Sequence, residues 1–191
     1  MKVISFTGNY DMATGQPAAR LMADSSILYT GRPFFLPDFA QRFVATPTIV
    51  VRTGRLGKCI AAKFAHRYWD AMTAGFAVRA VQGDDQRLMA LDYAFDGAVI
   101  VGEWVETAAL QDPLQILVEA RVGDRLLSSH RLADMHQPVG ELLSAVSRRC
   151  SIKMGDLLLT GEAGHAHTLA AGDHLTACVG GNQVLDVRVK L

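Results

Sequence analysis

Short apolar runs closed by glycine-containing turns are the feature that most restricts the fold of this 191-residue chain. The last third of the sequence has three such runs, at residues 157–160, 174–179 and 184–189. The β-branched run 48–53 gives the strongest strand signal in the first half. Runs of this length between glycine turns are typical of sheets built from many short strands.

Two segments have helical rather than strand periodicity. In residues 58–74, Ile60, Phe64, Tyr68 and Met72 recur every four positions, and Gly75 can end a helix. A second helix is predicted to begin at Pro138, with apolar residues of the next two turns on one face. Residues 11–24 are Ala-rich and weakly periodic, which predicts a loop with one irregular helix.

The remaining strands do not alternate regularly with the helices. They are predicted at residues 3–6, 27–30, 34–36, 76–81 and 98–101 and in a hairpin of 114–121 with 125–128. The sequence also has no glycine-rich phosphate loop, so a doubly wound sheet is disfavoured. We expect an α+β fold dominated by mixed sheets.

Composition and charge exclude several classes of protein. Nineteen basic and nineteen acidic residues cancel, which leaves no overall field for nucleic acid or an anionic membrane. No stretch approaches the roughly 18 apolar residues of a membrane span. We expect no signal sequence at the N-terminus, because its short apolar run is broken by Gly8 and Asn9. The three cysteines form no CxxC pair, which favours a reducing compartment, and we expect a cytoplasmic protein. The length predicts a single domain over 1–191, with a short N-terminal segment 1–37 and a core 38–191.

Four places along the chain carry short motifs that can be compared with known families. Residues 152–161 (IKMGDLLLTG) and 169–173 (LAAGD) are similar to "tLkpGDlIlTGTP" and the following "lkpGD" of the fumarylacetoacetate hydrolase family. Residues 95–97 (FDG) resemble "SFDGFxP", and 8–10 (GNY) resemble the opening "GxNYxxHxxE". Residues 55–70 resemble the helix after the metal-bearing strand in compact bacterial members. The resemblance implies a mixed β-roll or β-sandwich with two main helices, and a homodimer.

The resemblance also implies a metal site, and the residues at its positions have changed. Family members hold Mg²⁺ or Ca²⁺ with an E-x-E pair on a strand and an Asp beyond the helix, because hard cations prefer charged oxygen ligands. The E-x-E positions fall on Thr46 and Thr48, separated by Pro47, which would alter the strand. The Asp position falls on Ala77. With three carboxylates missing, no metal cofactor is expected.

Other catalytic positions of the family are also substituted. Its His and Glu fall near Ala13 and Gln16, its Lys on Tyr93, and the Thr that binds a substrate carboxylate on Glu162. A Glu in that place would repel an anion unless it were protonated or paired. These positions, with three further residues, define the expected vestigial pocket, whose full set is Tyr10, Ala13, Gln16, Tyr93, Asp96, Thr160 and Glu162.

Two local clusters leave alternatives open. Glu162, His165 and His167 could form a rebuilt site for Zn²⁺ or a similar metal, or they could be solvated residues of a Gly/Ala loop. His66 and Asp70 could pair on one face of the predicted helix, either as a structural contact or as a catalytic dyad.

Two hypotheses for the function follow. The first is a non-catalytic family homologue that binds a small ligand or a partner, or stabilises an assembly. The second is a divergent hydrolase, isomerase or decarboxylase for a small oxo-acid, acting without a metal or with the rebuilt one. A small carboxylate or oxo-acid is the expected ligand in either case.

Overall fold

The computed structural model describes residues 1–10, 17–81 and 91–191, so Ala13 and Gln16 lie outside the described residues. The strands are β1 (Val3–Thr7), β2 (Ala18–Met22), β3 (Ile27–Tyr29), β4 (Phe34–Phe35), β5 (Arg42–Thr53), β6 (Trp69–Val81), β7 (Val99–Val101), β8 (Val105–Glu106), β9 (Val118–Val122), β10 (Arg125–His130), β11 (Leu157–Leu159), β12 (His167–Thr168), β13 (His174–Val179) and β14 (Asn182–Lys190). The α-helix is α1 (Val139–Arg149), and short 3-10 helices span Asp24–Ser26, Ala62–Arg67, Thr107–Ala109 and Leu132–Asp134.

A nine-stranded mixed sheet holds the long strands β5 and β6 at its centre. Its order is β2-β1-β11-β5-β6-β7-β3, with β12 also paired to β5 and β8 to β6. β5 and β6 are paired in an antiparallel register from Arg42↔Val81 to Arg52↔Ala71. Because apolar clusters cover both faces of these strands, β6 is apolar almost throughout and does not show the alternation of a half-exposed strand.

A five-stranded sheet, ordered β10-β9-β13-β14-β4, packs against the first through the main core. Odd-numbered residues of β5, such as Ile49 and Val51, belong to the same core cluster as inward residues of the second sheet, such as Leu175 and Val187. Leu142 and Leu143 of α1 are fully buried in the same core. The expected α+β class, with mixed sheets and two helical segments, is therefore confirmed.

The first predicted helix is much shorter than the sequence pattern indicates. Residues 58–74 contain the 3-10 helix Ala62–Arg67 and then enter β6, so Gly75 lies within a strand and does not end a helix. Phe64 is 43% exposed whereas Met72 is fully buried, so the four-residue spacing does not define one face. Residues 69–74 instead belong to a strand that both apolar clusters cover.

Two smaller expectations are also wrong. Residues 18–22 form β2, an edge strand, where a loop with an irregular helix was expected. Pro47 does not interrupt β5, whose register with β6 stays regular on both sides of it. On the other edge of β5, the Pro47 carbonyl accepts a hydrogen bond from the Ala163 N–H at 2.9 Å.

No helix in the described part of the chain is long and apolar enough to cross a membrane.

Candidate functional site

The three positions expected to have held metal ligands come together in the structure. Thr46 lies directly opposite Ala77 across the β5–β6 pair, and Thr48 lies opposite Gly75. Opposed residues of an antiparallel pair share one face, and so do residues two apart along a strand. We call this surface the site face: the side of the nine-stranded sheet that carries Thr46, Thr48, Gly75 and Ala77.

The site face is closely packed beside Thr48. A Cβ added to Gly75 would lie 2.8 Å from Val50 Cγ2 and 2.6 Å from the Ile100 carbonyl oxygen. Thr48 is 4% exposed, and its hydroxyl lies 3.3 Å from the carbonyl oxygen of the next residue. Thr46 is half-buried. Ala77 belongs to the second apolar cluster, which covers this face of the sheet and includes Val50, Val99 and Leu157. The positions therefore present hydroxyl and methyl groups where the sequence resemblance implies the carboxylates of family members.

Tyr93 lies over the site face with an arginine against its ring. It packs on the second apolar cluster, which also contains Ala77, and the Arg20 guanidinium carbon lies 3.7 Å from its ring centroid. Arg20 belongs to β2, opposite Ser5 of β1. Arg20 could not be recognised from sequence patterns, because its strand is short and mostly exposed.

Two other residues of the expected pocket belong to the main core instead. Thr160 directly follows β11, next to Ile49 of the neighbouring strand β5. Its hydroxyl donates to the Ile49 carbonyl oxygen at 2.9 Å. The buried Tyr10 hydroxyl lies 2.9 Å from Thr160 Oγ1, and since that hydroxyl's proton points to Ile49, Tyr10 is the donor. Burial raises the pKa of Tyr10 well above its usual range, and the contact of its hydroxyl with Thr160 only partly offsets this shift.

Asn9 holds the same region together from the end of β1. Its side-chain amide donates to the carbonyl oxygens of Thr160 and Gln137 at 2.8 and 3.1 Å, and its Oδ1 accepts from the Gln137 N–H at 2.8 Å. Asn9 and Tyr10 thus fasten β1, β11 and the segment before α1 to one another. The structure gives the "NY" part of the family motif a scaffolding role.

The aspartates of the two Gly-Asp motifs also make structural contacts. Asp156 is fully buried and accepts from the backbone N–H groups of Lys2 and Lys153 at 2.7 and 2.8 Å, as well as from Lys2 Nζ. Asp173 Oδ2 accepts from the Ala170 N–H and is 2.8 Å from His167 Nε2. The residues that carry the family resemblance most strongly are therefore turn and strand anchors.

The proposed rebuilt metal site is not assembled. Glu162 and His165 are exposed, while His167 is engaged by Asp173. Over residues 1–10, 17–81 and 91–191, no group of three or more His, Cys, Asp or Glu side chains is arranged to hold a metal ion. Glu162 precedes Ala163, whose N–H is bonded to Pro47, so it lies beside the part of β5 that carries Thr46 and Thr48.

Asp96 and the other singled-out groups lie elsewhere. Asp96 lines a separate cavity of about 470 Å³ beside β3 and β4. Asp70 is not paired with His66: its Oδ1 accepts from Arg52 Nε at 2.9 Å, because Asp70 lies in β6 and not on a helix. His66 lines another cavity, of about 500 Å³, between the 3-10 helix Ala62–Arg67 and the start of α1.

Comparison with known proteins agrees with the resemblance found in the sequence. The family model described as "Fumarylacetoacetate (FAA) hydrolase C-terminal" matches residues 10–190 of the chain. No curated protein sequence matches it.

Solved structures with this fold align with nearly the whole chain. A 5-carboxymethyl-2-hydroxymuconate delta-isomerase from Mycobacterium smegmatis has a TM-score of 0.87 and 24% identity, over 99% of this chain and 76% of that one. A 2-hydroxyhepta-2,4-diene-1,7-dioate isomerase from Mycobacterium marinum gives 0.86 and 24%, over 99% and 74%. A fumarylpyruvate hydrolase from Pseudomonas aeruginosa, in complex with Mn²⁺ and pyruvate, gives 0.88 and 18%, over 100% and 90%. These likenesses confirm the expected fold type.

Proposed function

We propose that this chain, which belongs to the fumarylacetoacetate hydrolase family, is a non-catalytic member that binds a small molecule or has a structural role. The residues at the family's metal positions bear directly on this proposal. The one observation that carries this proposal is the pairing of Thr46 with Ala77 and of Thr48 with Gly75 on a single face. Three sequence positions assigned by counting lie together there, and none supplies a carboxylate.

The donor set at these positions does not fit Mg²⁺ or Ca²⁺. Such ions take six or more oxygen ligands, among which carboxylates balance the charge. Two threonine hydroxyls and a methyl group provide no negative charge at these positions. We therefore derive no catalytic step through a metal ion.

Two further substitutions support a non-catalytic role. Tyr93, in the family's Lys position, has a phenol in place of an ammonium group, and its ring is covered by Arg20. Glu162, in the position of the carboxylate-binding Thr, adds negative charge at the end of β11 where an anionic substrate would need a neutral donor. Each change opposes the reaction chemistry that the family resemblance implies.

The alternative is a divergent, metal-independent hydrolase, isomerase or decarboxylase for a small oxo-acid. The family match over residues 10–190 favours it at the level of the family, because the similar structures include proteins named as isomerases and a hydrolase. Tyr93 and Arg20 are the groups that could then polarise a substrate on the site face.

A turnover assay separates the two hypotheses. The full-length protein should be incubated with an acylpyruvate, a fumarylpyruvate and oxaloacetate, first with EDTA and then with Mg²⁺, Mn²⁺, Ca²⁺ or Zn²⁺. A non-catalytic member gives no hydrolysis, tautomerisation or decarboxylation above the uncatalysed rate under any condition. Turnover with EDTA that Tyr93→Phe abolishes would establish the alternative, and turnover that requires a metal would refute the metal-site argument.

We also propose that the protein is a cytoplasmic homodimer. The three cysteines are unpaired, in agreement with a reducing compartment. Leu56 and Met154 are 68% and 75% exposed next to the Gly57–Ile152 bridge, and they offer an apolar surface that a second copy could cover. Light scattering after size exclusion should give twice the 20.7 kDa chain mass, and Leu56→Glu with Met154→Glu should reduce it to one.

A further inference from the structure

The site face has an unbalanced charge. The strand register places Arg20 of β2, Arg42 and Arg52 of β5, and Arg79 of β6 on this face. At the paired positions of the described strands, the face carries one carboxylate, that of Glu106 in β8, which lies opposite Ala71. The surface on which family members gather carboxylates around a cation thus carries positive charge here.

Only one of these arginines is neutralised by carboxylates of described residues. Arg52 lies at one end of the face, with Nε 2.9 Å from Asp70 Oδ1 and Nη2 2.9 Å from Glu106 Oε1, and these hydrogen bonds raise the pKa of its guanidinium. Within residues 1–10, 17–81 and 91–191, no carboxylate forms an ion pair with Arg20, Arg42 or Arg79. Among the described residues, these three guanidinium groups therefore have no carboxylate partner.

Arg20 is held in place by Tyr93 on the site face. The segment with Tyr93 is fixed beside β6, because the Ala80 N–H donates to the Asp92 carbonyl oxygen at 2.9 Å. Arg79 is the neighbour of Ala80, so the backbone next to Tyr93 and the backbone next to Arg79 are joined by a hydrogen bond. Tyr93 therefore links Arg20, from the edge strand β2, to the segment that is bonded next to Arg79 of β6.

This arrangement suits recognition of a carboxylate. A guanidinium stacked on an aromatic ring keeps its N–H groups in its own plane, where they can form two parallel hydrogen bonds to a carboxylate. Stacking fixes the Arg20 side chain beforehand, which reduces the entropy lost on binding. The Ser5 hydroxyl, opposite Arg20 and 5% exposed, makes no hydrogen bond with another described residue and can add a donor.

We propose that the site face binds a small carboxylate or dicarboxylate directly through Arg20 stacked on Tyr93, with Arg79 as a second cation and without a metal ion. This inference rests on the proposed non-catalytic role and adds the chemical class of the ligand. The family's cation site has in this chain become an anion site. Glu162 is a negative charge on the loop beside Pro47, and it weakens binding.

Calorimetric titration of the full-length protein in EDTA tests the inference. The probes are pyruvate, succinate and oxaloacetate, with succinamide as the neutral analogue of succinate. At least one carboxylate should bind at one site per chain at millimolar concentration or better, and succinamide should not. Arg20→Gln should weaken binding about tenfold or more, as expected for loss of a charge-assisted pair.

Four variants complete the design. Tyr93→Phe keeps the ring and should retain binding, whereas Tyr93→Leu should lose much of it. Glu162→Gln should bind the same probe more tightly. Arg188→Gln, an exposed arginine of β14 in the other sheet, is the matched control and should bind as the wild type does. Thermal melts of all variants in the absence of ligand check that each one folds.

The outcomes distinguish this inference from the proposal on which it rests. Absence of binding by all three carboxylates, or affinity unchanged in a folded Arg20→Gln variant, overturns the anion site and leaves the non-catalytic role standing. Binding that appears only when Mn²⁺ replaces EDTA overturns both. Metal-free turnover of oxaloacetate with Arg20-dependent binding supports the anion site and refutes the non-catalytic role.

Discussion

Thr46 and Ala77 are direct cross-strand partners at the centre of the nine-stranded sheet. Side chains at such positions have Cβ atoms about 5 Å apart, close enough for two acids to bind one ion. Thr48 is on the same face, two residues along β5. The backbone geometry here would allow three carboxylates to converge, but other side chains occupy the three positions. Arg20, Arg42 and Arg79 lie on the same face and form no ion pair with a described carboxylate.

The buried carboxylate of Asp156 is expected to be important for stability and not for ligand binding. Asp156→Ala removes the acceptor for two backbone N–H groups and for Lys2 Nζ, and should lower the free energy of unfolding by about 3–5 kcal/mol. Asp24→Ala is the control, because the Asp24 carboxylate also pairs with a cation at the start of the chain, the N-terminal amine, but is 58% exposed. Its loss should lower the free energy of unfolding by under about 1 kcal/mol. Urea denaturation measures the free energy of unfolding of both variants. Equal losses would show that Asp156 does not anchor the N-terminal strand.

Tyr10 predicts a specific alkaline dependence of stability. Burial raises the pKa of Tyr10 above its ordinary value of 10.0, so the folded protein resists an ionisation that the unfolded chain undergoes. This contribution to stability is fully present below about pH 10 and decreases as the pH rises further. Tyr10→Phe loses one hydrogen bond, which costs about 1 kcal/mol near neutral pH.

The Tyr10→Phe variant should therefore lose less stability than the wild type between about pH 9 and about pH 11. Urea unfolding curves at both pH values supply the comparison. Parallel decreases in the two proteins would mean that Tyr10 ionises equally well in the folded and unfolded states.

Gly164 is expected to be required where the loop after β11 meets β10. Its φ is +116°, and a Cβ there would lie 2.3 Å from the Leu127 carbonyl oxygen. Gly172 has a φ of +95° but open space around it, so Gly172→Ala carries the conformational cost alone, about 1–2 kcal/mol. Gly164→Ala should lose clearly more in a thermal melt, and a similar loss for both would contradict the packing at this loop.

Most of the strands could be predicted from the sequence because glycine turns mark their ends. The run 174–179 is the strand His174–Val179, and 3–6 lies within Val3–Thr7. The helix over 58–74 was wrong for a physical reason: a strand buried on both faces has no alternation, so its apolar residues can imitate a helical period by chance. β2 was missed because an edge strand with exposed residues has little apolar signal.

The site could be predicted only in part. The positions Thr46, Thr48 and Ala77 followed from the resemblance, and the register brings them together. The same reasoning placed Tyr10, Thr160 and Asp96 in one pocket with Tyr93, whereas Tyr10 and Thr160 lie in the main core and Asp96 beside another cavity. Arg20 could not be found, because its contact with Tyr93 joins residues 73 positions apart through the fold.

We propose above all that the family's metal positions have lost their ligands in this chain while the surrounding geometry remains. Calorimetric titration with Mn²⁺ of the wild type and of the triple variant Thr46→Glu, Thr48→Glu and Ala77→Asp tests it most directly. The wild type should bind no Mn²⁺ at the site, and the triple variant should gain one ion per chain together with a raised melting temperature in Mn²⁺. Binding of one Mn²⁺ per wild-type chain would contradict the claim.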